Sequence, residues 1–349
     1  MRMQPCKPEP INARSALHES PPFRAVLDRY CRSGMPNARG DVVASPSRRA
    51  PRGPWWIWLL LAVLPWTWFL LRDELGLVGD VVAIVLPVLA VVAAVVAVVV
   101  GRRRGLLAAV SVLVAGAVAV VGPWTPVDTG PVRPGAAVTV ASANVTGLET
   151  TLPALRATAA DVLVVVEDTR SIDRELDDDH PHHVYSGGTP SVGVYSRFPV
   201  RLLDGTGPDL PGLRVAVDAP TPFVLYAMHV PRPWWTGGGS YQATPAEHRR
   251  LVVALADRVA REPGPVVVAG DLNSTDRGRD YRLLADDTGL TDVMRDGWTG
   301  PTSVTQWQAF LLRIDHLMVG PGWCGEGPRR FLLVGSDHDG ITAGVGPCA

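Results

Sequence analysis

Three closely spaced apolar runs ending at residue 122 restrict this chain more than any other feature. Residues 55–71, WWIWLLLAVLPWTWFLL, hold 17 residues without a charge. Residues 81–100 add 20 more and residues 105–122 a further 18. An α-helix rises 1.5 Å per residue, so roughly 20 apolar residues cross a hydrocarbon layer of about 30 Å. Buried helices of a soluble protein would keep a polar face, and these runs have almost none. The sequence therefore predicts three transmembrane helices over residues 54–122. Pro65 and Pro87 lie inside the runs, where membrane helices tolerate them. A cleaved signal peptide fits poorly, because the first run starts at residue 55 and two more follow.

Flanking charge sets the expected orientation. Arg48, Arg49 and Arg52 precede the first run, and Arg102, Arg103 and Arg104 separate the second from the third. Between the first two, Arg72 is outnumbered by Asp73, Glu74 and Asp80. Basic flanks stay in the cytoplasm, which places the N-terminus inside and everything after residue 122 outside a multi-pass protein of the cell membrane. The net charge of −1 hides a matching asymmetry. Residues 1–53 carry ten Arg/Lys against four Asp/Glu, whereas residues 123–349 carry nineteen Arg against twenty-seven acids. That acidity argues against non-specific nucleic-acid binding, which relies on cations to neutralise phosphates. Residues 1–53 mix Pro, Arg, Ser and Gly without periodicity and read as a disordered cytoplasmic arm. Residues 123–135 contain four prolines and read as a stiff linker.

From residue 136 to 349 short apolar strands alternate with helices. Val162–Val166 is a β-branched run closed by Glu167, and Val266–Ala269 runs into Gly-Asp-Leu-Asn. Pro245–Arg261 repeats Leu251, Leu255 and Val259 on one helical face. This texture predicts an α/β domain, two packed sheets flanked by helices. Its chemistry-bearing residues stand at strand ends in a fixed order. Asn144 ends ASAN, Glu167 ends DVLVVVE, and His229 ends Phe223–His229. Asp271 and Asn273 follow in GDLN, Asp315 in RIDH, and Asp337 with His338 in GSDH.

This series resembles the endonuclease/exonuclease/phosphatase superfamily, whose fold is the DNase I-like two-sheet sandwich. The resemblance implies metal-dependent hydrolysis of a phosphoester, with Mg²⁺ as cofactor and Mn²⁺ as a substitute. A hard cation on a phosphate oxygen explains the carboxylates and amides. It further implies Glu167 as the main metal ligand, with Asn144 and Asp337 beside it. Asp271 would orient and deprotonate the water, and Asn273 would hold the phosphate. Asp315 would orient His338, which donates to a phosphate oxygen, and His229 would reach the phosphate or leaving oxygen. Two departures stand out: Val166 where the family usually has Gln, and Thr146 where many nucleases have an acid or amide. Three runs before such a domain also resemble the actinobacterial VanJ-type membrane proteins linked to glycopeptide resistance.

The expected activity is that of an extracytoplasmic phosphoester hydrolase acting on a cell-envelope or lipid-linked phosphate at the bilayer. An extracytoplasmic nuclease and a non-catalytic envelope protein reusing the fold are the alternatives. Asp177–Asp179 with His180, His182 and His183 read as a solvated loop rather than a metal site, and His316 as facing away from the site. Trp234, Trp235 and Gly237–Gly239 form an aromatic loop after His229 that could stack on substrate or dip into the membrane interface. Cys324 follows Asp315 by nine residues and Cys348 follows His338 by ten, so both should arrive at the pole opposite the site and form a disulfide in an oxidising exterior. Protease added to spheroplasts is expected to cleave beyond residue 135 and to spare the arm before residue 54; protection of the C-terminal domain would reverse the orientation.

Overall fold

A computed structural model describes residues 54–349 except 169, 234–240, 298–299 and 305–307. The basic arm, Cys6, Cys31 and the Trp234–Trp235 loop lie outside the described residues. Helix α1 (Trp55–Leu71) is followed by α2 (Gly76–Val121). Two stretches, Gly76–Gly101 and Arg103–Trp124, are apolar and long enough to cross a membrane. The first run is not: its 17 residues span about 26 Å, short of a hydrocarbon layer of about 30 Å. Two helices of adequate length therefore replace the three that were expected, and the odd number of crossings on which the expected orientation rested is not found among the described residues. The α2 run doubles back around its arginines. Ala94 and Ala97 pack with Ala108 and Ala109, and a Cβ on Gly116 would lie 2.8 Å from that of Ala90. Small residues allow this close approach. Ser111 ties α1 to the returning arm, donating to the Ala62 carbonyl and accepting from Trp66 Nε1.

Among the described residues, twelve strands form two six-stranded mixed sheets. The first runs in the order β11 (Trp323–Leu332), β12 (Asp339–Pro347), β1 (Val138–Asn144), β2 (Val162–Val166), β4 (Ser191–Ser196), β3 (His182–Gly187). The second runs β5 (Val200–Asp204), β6 (Gly212–Val217), β7 (Phe223–His229), β8 (Val266–Asp271), β10 (Asp315–Val319), β9 (Thr291–Asp292). Alternate residues of facing strands fill the space between the sheets, Val140, Val162 and Val164 meeting Leu225, Val267 and Leu317. The outer face of the second sheet is covered by the helix Pro245–Ala260 through Leu251, Leu255 and Val259. The first sheet is covered by Leu155, Ile172 and Leu176. Val166, one of the departures, is fully buried between the sheets. His182 and His183 belong to β3 rather than a loop; His183 pairs with Asp177 at 3.1 Å, and His180 bonds the Ala160 carbonyl.

The apolar helices meet the sandwich along the segment 272–282, with Leu311 packed beside it. Pro87 has no N–H to give the carbonyl of Ala83 one turn back. Arg277, fully buried, donates its Nε–H to that carbonyl. Its other nitrogens reach the carbonyls of Ile84, Phe310 and Leu311. Burial pushes the guanidinium down to about 10, so it stays charged at neutral pH. Arg279 forms an ion pair with Asp80 at 2.8 Å, and Arg282 pairs with Asp73. Beneath the loop, Arg313 lies buried between Asp276 and Asp292 at 3.0 and 2.6 Å. Burial alone would raise the Asp292 carboxyl, but Arg313 and His316 hold it well below the usual carboxylate range.

Cys324 and Cys348 are disulfide-bonded, with Cα atoms 5.0 Å apart. The strand that begins at Asp315 ends at Val319, and Cys324 belongs to the next strand, whose partner leads to Cys348. The bond closes a 24-residue separation, for which chain entropy gives about 3 kcal/mol. Replacing both cysteines by serine is expected to lower stability by about that amount in chemical denaturation of the full chain; an unchanged midpoint would show that the bond contributes nothing.

Candidate active site

Strand register assembles the site before any side chain is considered. On adjacent parallel strands β7 and β8, His229 stands beside Asp271. On the antiparallel neighbour β10, Asp315 stands opposite Asp271. Asn144 ends β1 level with Val166 of β2, so Glu167 is the next residue out. His338 immediately precedes β12, which pairs with β1. Four strand ends and two strand starts thus converge on one pole. The chain between strands is held in unusual conformations there. Glu167, Asn273 and Thr146 have φ of 55°, 46° and 50°. Such conformations cost non-glycine residues of order 1–3 kcal/mol and cluster at functional sites. Gly270 has no alternative, because a Cβ there would lie 1.9 Å from the Met228 carbonyl.

Asn144 Nδ2 bridges Glu167 Oε1 at 3.2 Å and Asp271 Oδ2 at 3.1 Å. Its Oδ1 accepts from the Thr146 backbone at 3.0 Å. Asp271 Oδ1 accepts from the Asn273 backbone at 2.9 Å, while Asn273 Nδ2 donates to the Val230 carbonyl at 2.9 Å. His338 Nδ1 bonds Asp315 Oδ2 at 2.8 Å, and its Nε2 lies 3.8 Å from Asp271 Oδ2. His229 Nε2 is 3.7 Å from Glu167 and 3.9 Å from Asp271, too far for a hydrogen bond but near enough to share a substrate oxygen. Tyr241 donates to the His229 carbonyl at 2.8 Å and packs against the imidazole. Asp337 is more peripheral; its Oδ1 accepts from Thr146 Oγ1 at 2.9 Å. That bond gives Thr146, the second departure, a task of its own.

Electrostatics separate the groups. Burial and the neighbouring Asp315 raise Asp271 to about 7. Burial would depress His338, but Asp315 and Asp271 outweigh it and raise the imidazole to about 10. His338 is therefore a cation at neutral pH. Burial and the cationic His338 push His229 down to about 3, so it is neutral. Among the described residues, Asp271, Asp315 and His338 form a cluster of three acid or histidine side chains whose donor atoms lie within 4.8 Å of one another, a candidate metal site with Asn144 and Glu167 beside it. The donors fit a hard cation: Asp315 Oδ1 is buried and has no hydrogen-bond partner, and Glu167 is half exposed at the rim. The sequence had assigned ligand roles to Glu167, Asn144 and Asp337 and acid–base roles to Asp271, Asp315 and His338. The structure brings all of these together with His229 and Asn273.

Sequence reasoning missed the supports. Thr302 Oγ1 accepts from the backbones of Ile314 and Asp315. Ser336 Oγ donates to the Asn144 carbonyl and accepts from the His338 backbone. His316 faces away from the site as expected, yet is fully buried, bonding the Ser274 carbonyl at 2.9 Å and Asp292 at 3.2 Å.

Two mixed sheets with acids and histidines gathered at one pole define a hydrolase of the DNase I-like fold carrying a candidate metal site. Residues 141–338 match the Endonuclease/Exonuclease/phosphatase family, and the chain belongs to that family. No curated protein matches the sequence. Among solved structures, an endonuclease/exonuclease/phosphatase from Beutenbergia cavernae is similar at 20% identity, over 61% of this chain and 72% of that one, with a TM-score of 0.46. A humanized D. rerio TDP2 is similar at 18% identity over 60% and 98%, TM-score 0.46. A mannosyl-6-phosphatase of Bacteroides thetaiotaomicron is similar at 13% identity over 60% and 99%, TM-score 0.42.

A metal ion needs Asp271 ionised, and its raised pKa means a proton must leave first. Without metal, Asp271 binds its proton more tightly folded than unfolded, so it contributes stability at low pH that is lost as pH rises towards 7. Added Mg²⁺ or Mn²⁺ is expected to raise Tm by about 3 °C or more at pH 8 and by much less at pH 5. An equal increment at both pH values would contradict this assignment.

Proposed function

We propose that the chain is a membrane-anchored, Mg²⁺-dependent phosphoesterase whose hydrolase domain faces the extracytoplasmic side and acts on a lipid-linked or envelope phosphate. The observation that carries this reading is the loop 272–282. It leaves the catalytic strand at Asp271, passes through Asn273, and is fastened by Arg277 and Arg279 to Asp80, Ala83 and Ile84 at the start of an apolar helix. Most side chains of that helix are exposed; 28% of its apolar window is buried, against 44% in the returning stretch. An apolar surface of this extent in water would be a liability, whereas in a bilayer it is required. The 26 residues Gly76–Gly101 span about 39 Å, which leaves roughly two turns beyond the hydrocarbon to meet the domain. Asp73 and Asp80, in the segment expected outside from charge, pair with the domain itself.

In this reading Glu167 is the principal ligand, with Asn144 and Asp337 beside it, and Mn²⁺ can substitute for Mg²⁺. The ion, when bound, polarises a phosphate oxygen and offsets its developing charge. Asp271, ionised when the ion is bound, takes the proton of the water that attacks phosphorus. His338, held as a cation by Asp315, donates a hydrogen bond to a phosphate oxygen. Asn273 holds the phosphate, and neutral His229 donates towards the leaving oxygen. The P–O bond breaks as the water oxygen bonds to phosphorus; the leaving oxygen takes a proton from solvent water, and Asp271 returns the proton it took to solvent.

Asp271→Asn and His338→Ala are each expected to lower kcat by about 10²-fold or more. The double variant should lose far less than the product of the two, because groups acting as a unit are not additive. Near-native phosphate release by either single variant would show that the acid–base roles belong elsewhere.

A further inference from the structure

A cavity of about 300 Å³ opens directly off the catalytic groups, at the lower end of the range for small-molecule sites. Asn273, Asp337 and His338 stand at one side of it. Val81, Ile84 and Val85 form one wall. Their spacing of three and four puts them on a single face of the apolar helix. Phe310, Leu312 and Ile314, in the segment leading into catalytic Asp315, form a second wall. The walls come from parts of the chain more than two hundred residues apart, and one side chain spaces them. Arg277 donates to the carbonyls of Ala83 and Ile84 on the first wall and to those of Phe310 and Leu311 on the second. The guanidinium is planar and its donors are fixed, so it sets the gap rigidly.

We infer that this cavity is the subsite for the hydrocarbon chain of an amphiphilic phosphoester, taking the first carbons beyond the phosphate. The inference rests on the phosphoesterase reading and adds to it the part of the substrate that is recognised. A phosphate held by Asn273 and His338 places the next atoms of its substituent between the two apolar walls. The lining also includes Arg232, His248, Ser274, Thr275, Asp280 and Ser303, so polar partners are at hand, and it is the apolar stretch from Val81 to Val85 together with Phe310, Leu312 and Ile314 that suits an alkyl or prenyl chain. The chain's far end would run along the exposed face of the helix that forms the wall, in the direction of the bilayer. A chain already in the membrane could therefore reach the site without crossing water.

The test is chain-length preference in the full chain, reconstituted with Mg²⁺. The substrates are butyl and dodecyl phosphomonoesters, and butyl and dodecyl methylphosphodiesters. In whichever pair is hydrolysed, the native protein should favour dodecyl over butyl in kcat/KM by at least about tenfold, since each buried methylene adds to binding. Val85→Trp and Leu312→Trp fill the cavity from two separate segments of its lining, and each should bring the ratio close to one. The ratio compares two substrates in one protein, so partial loss of folding cancels. Val99→Trp, far along the same helix, should keep the native ratio, which separates the cavity from simple partition into the membrane. Hydrolysis of both members without preference, or a preference that survives both cavity variants, would overturn the subsite and leave the phosphoesterase intact. No hydrolysis of any of the four would overturn the phosphoesterase reading, and the subsite with it.

Discussion

Asp271 and Asp315 face each other across one antiparallel register, both buried, and two carboxylates so placed cannot both ionise without a cation between or beside them. The rest of the pole answers that constraint. His338 supplies one positive charge through its bond to Asp315, and Asn144 supplies donors to Asp271 and Glu167. Asp315 keeps one oxygen without a partner, and Asp271 is pushed up to about 7. Removing the cation leaves a site that holds a proton where it would otherwise hold a metal. The same arrangement leaves His229 neutral, because a second cation beside His338 would be repelled as well as desolvated. One register therefore fixes the protonation of three groups.

A second dependence links the site to the apolar helices. Pro87 deprives Ala83 of its helical partner, and Arg277 fills the gap from the loop that also carries Asn273. The loop is supported from below by Arg313 between Asp276 and Asp292, with His316 and Tyr281 completing the bonds of Asp292. Buried ion pairs of this kind are weak evidence for net stability, since desolvation consumes much of their attraction. Breaking one is costly, however, and that makes the loop's position well defined. Trp124, at the end of the apolar region, also donates to Asp276, so the chain entering the domain and the helix beside it hold the same loop.

Much of this was legible in the sequence because the key residues close β-branched runs. Val162–Val166 ends at Glu167 and Val266–Ala269 leads into Asp271, and both strands form as the runs imply. Buried parallel strands have no polar face to confuse the reading. The histidines at 182 and 183 misled for the opposite reason. They sit on a half-exposed edge strand behind three aspartates, where composition resembles a loop. The buried charges were illegible altogether: arginines and aspartates are normally on the surface, and only partners distant in sequence bring Arg277 and Arg313 inside. Of the three apolar runs, only two form helices long enough to cross a membrane, because Trp55–Leu71 stops at Arg72 about one turn early. Roles were harder to read than positions. The sequence separated metal ligands from acid–base groups, whereas in the structure they share one set of hydrogen bonds.

The most direct test of the account is hydrolysis of a lipid phosphate in vesicles by the purified full chain, stripped with EDTA and then reloaded with Mg²⁺. Activity should vanish on stripping, return on reloading, and fail to return in Glu167→Gln while that variant keeps its fold. Undiminished turnover after stripping, or full recovery in Glu167→Gln, would contradict a metal-dependent mechanism at this site.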